Sequence, residues 1–381
     1  MAYLLILTCG ILLFLRYPGN PASYRNNLPG DFAVYVKAWE WCKAGQNPYM
    51  LELRHLSPFK YSPGVLWLIG KLPENPSHAW FFFSTLCIAS LMGALVTGAS
   101  YRSWRRVGLL LVGFFLSWKG ILETLDYGQL ELLILGVAVG AAALVRRYPV
   151  YAGFLAGTLP WFKLPWVVLG WPLLLACRDK KRRMMISGYL LAYFIWGAAI
   201  PSLAFGPERA KILFQTWIEV LRNQPHELYF SDINQSVWVT LERWMGSRPE
   251  LAIGLGCVLM GWVLVRLSVR VKECLKFQYA RGVFSWVAPW LILIQLLNPL
   301  SWRWGSALIV GVPFAFSWPS EGWGGRGIAT FYRLILLVIV AILWLLQLNP
   351  VVQSLGFHHW SELHSYGVVT GYWVALLLLC L

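Results

Sequence analysis

The chain has 381 residues, 58% of them hydrophobic and only 13% charged, and its formal net charge is +15 at pH 7. So little charge excludes an ordinary soluble globule of this size. The basic surplus does not favour nucleic acid either. Lys and Arg are dispersed among loops between apolar runs, which suits anionic lipid headgroups or a phosphate-bearing lipid better.

Apolar stretches of membrane-spanning length recur from end to end, with Trp, Tyr and Phe clustered at their ends, the depth of the lipid headgroups. The expected spans cover 2–16, 78–99, 107–122, 128–145, 150–162, 164–177, 184–204, 250–267, 282–298, 304–318, 328–346 and 366–381. This predicts an all-α polytopic membrane protein with about 10–12 transmembrane helices, built as a single domain over residues 1–381. The first span has no basic n-region and no small-residue cleavage site before Tyr17-Pro18, so it reads as a retained helix. The two stretches on either side of Lys163 are each too short to cross alone and predict a re-entrant or tilted hairpin broken at Phe162-Lys163-Leu164-Pro165.

Orientation follows from the short loops. With the N-terminus inside, the loops 101–106, 146–149, 178–183, 266–281 and 319–333 hold more than half of the Lys and Arg. Nearly all Asp and Glu then fall on the outer side or at outer helix ends, most of them in or beside two long segments, 18–77 and 205–249. The first of these opens with Asp31, the first acidic residue of the chain, followed by Phe32, Tyr35 and Trp39 on one helical face. That pattern suits a short helix at the lipid–water boundary. A second interfacial helix is expected over Val65–Leu72, after Tyr61-Ser62-Pro63.

Several polar residues stand out against this apolar background. Asp31 is placed to serve as a general base, although an Asp after Gly is also a common helix N-cap. Asp126 and Glu131 flank Tyr127-Gly128-Gln129 at an outer helix boundary, where acidic residues are functional, paired or capping. Lys163, between two apolar half-spans, either meets an anion or snorkels to the surface. Arg303 could clamp a phosphate through its planar fork or simply end a helix.

No metal or disulfide framework is expected. The seven cysteines (Cys9, Cys42, Cys87, Cys177, Cys257, Cys274 and Cys380) show no ligand spacing. His358, His359 and His364 have only Glu362 for company, and adjacent histidines cannot share a helix face.

Taken in order, these segments resemble glycosyltransferase family 87, membrane enzymes of the GT-C type. The resemblance rests on Asp31-Phe32 through Gly45-Gln46-Asn47-Pro48-Tyr49, then Tyr61-Ser62-Pro63, the Gly128-Gln129 turn and Ala152-Gly153 through Lys163. It continues through Asn234-Gln235-Ser236 with Arg243 and ends at Asn298-Pro299-Leu300-Ser301-Trp302-Arg303. Two departures are Glu131, where the family carries Asn, and Trp304-Gly305, where it carries histidine.

The resemblance implies a GT-C fold with interfacial helices in the first long extracytoplasmic loop. It further implies a polyprenyl-phosphate-linked sugar donor, mannose by default, a lipid or glycan acceptor, and neither metal nor other cofactor. Asp31 would be the base, with Lys163, Arg303 and Arg243 holding phosphate. Gln129, Asn234 and Gln235 would contact sugar or acceptor, with Asp126, Glu131, Tyr61 and Trp302 beside them. Reaction on the outer face of the plasma membrane is the expectation. The alternatives are a transporter or flippase for lipid-linked solutes, which would need paired broken helices, and an inactive relative that only binds a lipid-linked sugar.

Overall fold

The computed structural model describes residues 2–17, 28, 30–50, 59–98, 104–177, 179–223, 236–245, 249–276, 282–297, 307–308, 310, 312–316, 335–343 and 368–380. Among these the regular structure is entirely helical, and the chain is an all-α polytopic membrane protein. Among the described residues four helical runs are long and apolar enough to cross a membrane: Pro76–Gly98, Val107–Tyr127, Asp179–Phe205 and Gly254–Lys272. Shorter apolar helices accompany them at Tyr3–Arg16, Glu131–Leu144, Leu164–Ala176 and Phe284–Leu297. Large apolar side chains on their outer faces, such as Leu4, Leu7, Phe82, Leu190, Phe194 and Val265, are exposed, as lipid contact requires.

The chain divides into two compact units, Met1–Gly98 with Ile121–Gln224, and Ala99–Gly120 with Pro225–Leu381. The first contains α1 (Ala2–Arg16), α2 (Gly30–Lys43), α3 (Pro63–Ile69) and α4 (Pro76–Gly98). The cut between the units falls within α5 (Trp104–Tyr127). The first unit resumes through α6 (Glu131–Leu144), α7 (Pro149–Phe162), α8 (Gly170–Ala176) and α9 (Asp179–Phe194). A π turn over Ile195–Ala199 leads into α10 (Ile200–Phe205), and α11 (Pro207–Arg222) follows.

Helix α7 packs along α9 and against α6, which in turn packs on α4. Small residues make the α7–α9 approach possible. Gly153 and Gly157 on α7 face Gly188 and Ala192 on α9, each pair four residues apart. A Cβ on Gly153 would run into the Met185 carbonyl, one on Gly188 into the Val150 carbonyl, and one on Gly157 would stand 2.6 Å from the Tyr189 carbonyl oxygen. In lipid, where apolar side chains gain nothing by leaving their surroundings, such close backbone contact is what holds helices together.

Helix α7 ends where the sequence predicts a break. Pro160 lies inside its last turn, and Lys163 adopts an extended backbone (φ −147°, ψ 115°) ahead of Pro165. Pro165 then stands in the first turn of a tight 3-10 segment, Leu164–Leu169, where its missing N–H costs no bond, and α8 follows. The aromatic face of α2 is filled by protein: Phe32 and Tyr35 are fully buried, and Trp39 lies over Gly70 at the end of α3.

In the second unit, Phe284–Leu297 is buried on every side through Leu296, which suits its uniformly apolar sequence. It packs on Pro249–Lys276, Val312–Phe316 and Val368–Cys380. Val237–Met245 is tied to it by the Trp238 indole, which donates to the Leu297 carbonyl at 3.2 Å, and to Val368–Cys380 by the Thr240–Thr370 hydroxyl pair at 2.9 Å. Asn234, Gln235, Trp302 and Arg303 lie outside the described residues, as do Trp304, Gly305, His358, His359, Glu362 and His364.

Candidate active site

The first unit gathers a polar cluster around the start of α2. Gly128, in the turn between α5 and α6, has φ +70°, and a Cβ there would stand 2.6 Å from the Cβ of Phe32. Only glycine allows this approach at no cost. Phe32 is itself wedged against Trp80 and Phe83 of α4, with ring centroids 5.2 and 5.0 Å away. The first turn of α2 is thereby fixed beside the 128–130 turn, and Asp31 belongs to that first turn. The helix dipole favours a carboxylate there. Asp31 is half-buried, and burial pushes its carboxyl up to about 6; the charges of Lys163 and Lys60 pull it down and that of Glu131 pushes it up.

Glu131 opens α6, directly after the same turn. Its side chain is 3% exposed and forms an ion pair through Oε1 with Lys163, which is 20% exposed at the α7 break. The second carboxylate oxygen, Oε2, is buried and has no hydrogen-bond partner among the described residues. A buried carboxylate is stable only while its partner stays in place, so each residue holds the other at this depth.

Lys60 and Tyr61 complete the cluster. Lys60 is half-buried; burial lowers its amine to about 8, with Asp31 raising it and Lys163 lowering it further. The Tyr61 hydroxyl pairs with that of Tyr35 at 2.8 Å, and burial pushes both phenols well above their usual range. The Tyr61 carbonyl accepts the Tyr49 hydroxyl at 2.8 Å. Tyr49 reaches it because the Gly-Gln-Asn-Pro-Tyr turn reverses the chain after α2. Gly45 sits at φ +81°, Asn47 Oδ1 accepts the Tyr49 amide at 3.1 Å, and Asn47 Nδ2 donates to Thr216 of α11 at 3.0 Å. That motif therefore anchors the Tyr61 backbone to the turn after α2 and to α11.

Of the residues singled out in the sequence, Asp31, Tyr61, Glu131 and Lys163 come together, and Gln129, 4% exposed, lies in the turn that joins them. Asp126 goes elsewhere: it is exposed at the end of α5 and accepts the Tyr17 hydroxyl at 2.8 Å, tying the end of α1 to α5. It does not cap α6, whose N-cap is Leu130 without a side-chain bond. Arg243 is half-buried in the last turn of Val237–Met245, in the second unit. Lys60 was not anticipated. Its only sequence signal is a basic residue immediately before the Tyr-Ser-Pro segment, which is indistinguishable from a lysine flanking an apolar run.

Two carboxylates and two amines, half-buried or deeper, thus form one charged cluster in an integral-membrane protein. Residues 59–294 match glycosyltransferase family 87, and that is more than half of the chain. The chain belongs to this family and is a glycosyltransferase. No curated protein matches it. The matched stretch contains Lys60, Tyr61, Gln129, Glu131, Lys163 and Arg243; Asp31 precedes it, and Trp302 and Arg303 follow.

Proposed function

We propose that this glycosyltransferase moves a sugar, mannose by family default, from a polyprenyl-phosphate donor to an acceptor hydroxyl on the extracytoplasmic face of the plasma membrane. The observation that carries this reading is Asp31 in the first turn of α2, its carboxyl raised to about 6 and under the charges of Lys60, Glu131 and Lys163. Such a group is ionised at neutral pH yet remains a usable proton acceptor.

In the proposed reaction, Asp31 takes the proton of the acceptor hydroxyl as its oxygen attacks C1 of the sugar. The C1–O bond to the lipid phosphate breaks, the phosphate leaves with the bonding electrons, and C1 is inverted. Cations steady the departing charge, Lys163 within the cluster and, by the resemblance, Arg243 and Arg303. Gln129, Tyr61, Asn234, Gln235 and Trp302 are assigned to sugar or acceptor contacts on the same ground. The chain is taken to work as one domain.

The test uses membranes containing the full chain with a polyprenyl-phosphate mannose donor. Asp31→Asn should abolish transfer while insertion, expression and elution profile remain those of the wild type. Transfer at wild-type rate by that variant removes Asp31 from the role of base.

A further inference from the structure

The charges in this cluster are not equally available. Lys163 is committed to Glu131, and a ligand that drew it away would leave a carboxylate that is 3% exposed without its partner. Uncompensated burial of that kind costs several kcal/mol. Lys60 differs: it makes no ion pair among the described residues, although it is half-buried and feels the charges of Asp31 and Lys163.

The backbone around Lys60 is built to hold it there. Its own carbonyl accepts the Trp217 indole of α11 at 2.8 Å. The next residue, Tyr61, is held by the hydroxyls of Tyr35 and Tyr49, each at 2.8 Å. The amide of Ser62 then donates to the Trp161 carbonyl of α7 at 3.3 Å. Four separate segments thus fix three consecutive residues, and from the first of them extends an amine with no paired carboxylate among the described residues. A flexible surface lysine needs none of this support.

We infer that Lys60 is the anion-binding amine of the site. It meets the phosphate of the substrate directly, and Lys163, paired with Glu131, steadies the departing charge only through its field. The inference rests on the reading of this cluster as the donor site. It extends that reading by assigning the substrate's charge to a residue that neither the motif pattern nor the resemblance marks. The chemistry is simple charge-assisted hydrogen bonding by an ammonium group, with no bond made or broken. Binding an anion also favours the protonated amine, offsetting the burial that lowers Lys60. The ionisable groups acting on it are Asp31 of α2 and Lys163 after α7, with Tyr61 adjacent in the chain and Tyr35 bonded to it.

The probes are farnesyl phosphate and its uncharged counterpart farnesol, titrated into the full-length protein in detergent. The wild type should prefer the phosphate, and the preference should fall as pH rises through about 8. Lys60→Met should lose about tenfold or more of that preference at neutral pH, the worth of one charge-assisted bond, while its farnesol affinity is unchanged. Lys60→Arg should retain the preference and keep it at the alkaline pH where the wild type has lost it.

A Lys60→Met protein that still prefers farnesyl phosphate as the wild type does overturns the assignment of Lys60 and leaves the donor reading standing. So does a wild-type preference unaffected by alkaline pH. A wild type that does not distinguish phosphate from alcohol sinks both. If Lys60→Met fails to fold, the pH series on Lys60→Arg decides the matter: an arginine variant that loses the preference at the same pH as the wild type overturns the assignment.

Discussion

Asp31 and Lys60 carry ionisation properties that neither has in water, and the direction of each shift has a functional use. Burial raises the Asp31 carboxyl from 3.8 to about 6, so the folded chain holds a proton there that the unfolded chain has released. Between those two values stability therefore falls as pH rises, and the cost of the buried charge persists above pH 6. Asp31→Asn should remove this cost: its melting temperature above pH 6 should exceed that of the wild type, and the gap should close as pH falls towards 4. Transfer by the wild type should decline as pH drops through about 6, where the base becomes protonated. Initial rates and melting curves over the same pH series check both. A wild-type rate that stays level down to pH 4 would exclude Asp31 as the titrating base.

The residues differ in how far their sequence context reveals them. Lys163 is legible because a charge between two apolar half-spans has few stable environments. Asp31 is legible as the first acidic residue beyond an apolar span, followed by an aromatic helix face. The partnership of Lys163 with Glu131 is not, since it joins residues 32 positions apart on different helices. Asp126 is the opposite case: its neighbours in sequence suggest the site, and its bond to Tyr17, 109 positions away, takes it elsewhere.

At the scale of elements, the position of Lys163 depends on how closely α7 lies along α9. The two helices meet backbone to backbone through Gly153, Gly157 and Gly188, so a side chain at any of these must push them apart. Gly188→Leu should cost about 1–3 kcal/mol or more, as overpacking of a filled contact does, and should lower transfer by shifting the α7 break. Gly93→Ala in α4 is the matched control, because a Cβ there meets nothing within 4 Å. It should leave melting temperature and transfer nearly unchanged. Equal behaviour of the two variants in thermal melts would show that the α7–α9 contact does not set the site. The break itself is readable from Pro165 and the lengths of the flanking runs. The destination of α2 is not: its aromatic stripe is equally suited to lipid or protein, and long-range packing on Trp80 and Phe83 selects protein.

For the whole molecule, the proposed orientation with the site outward rests on the distribution of basic residues. Two exposed positions test it. Gln46 lies in the turn after α2, and Lys180 lies at the start of α9 in a loop assigned to the inside. A membrane-impermeant maleimide should label Gln46→Cys in intact cells beyond the wild-type background from exposed Cys257, and should label Lys180→Cys only after the membrane is opened. The reverse pattern would put the site on the cytosolic side. The spans themselves are largely legible as apolar runs, because lipid demands continuous helix. The division into two compact units is not, since the cut falls inside one continuous helix, α5, with no loop or linker to mark it.

The order of the four charged groups along the chain has a consequence for biosynthesis. Read from the N-terminus they are Asp31, Lys60, Glu131 and Lys163, so their signs alternate. Among these four, each acid is followed by an amine before the next acid is made. Counted over its own members, the cluster is thus never more than one elementary charge from neutrality as they are added in chain order.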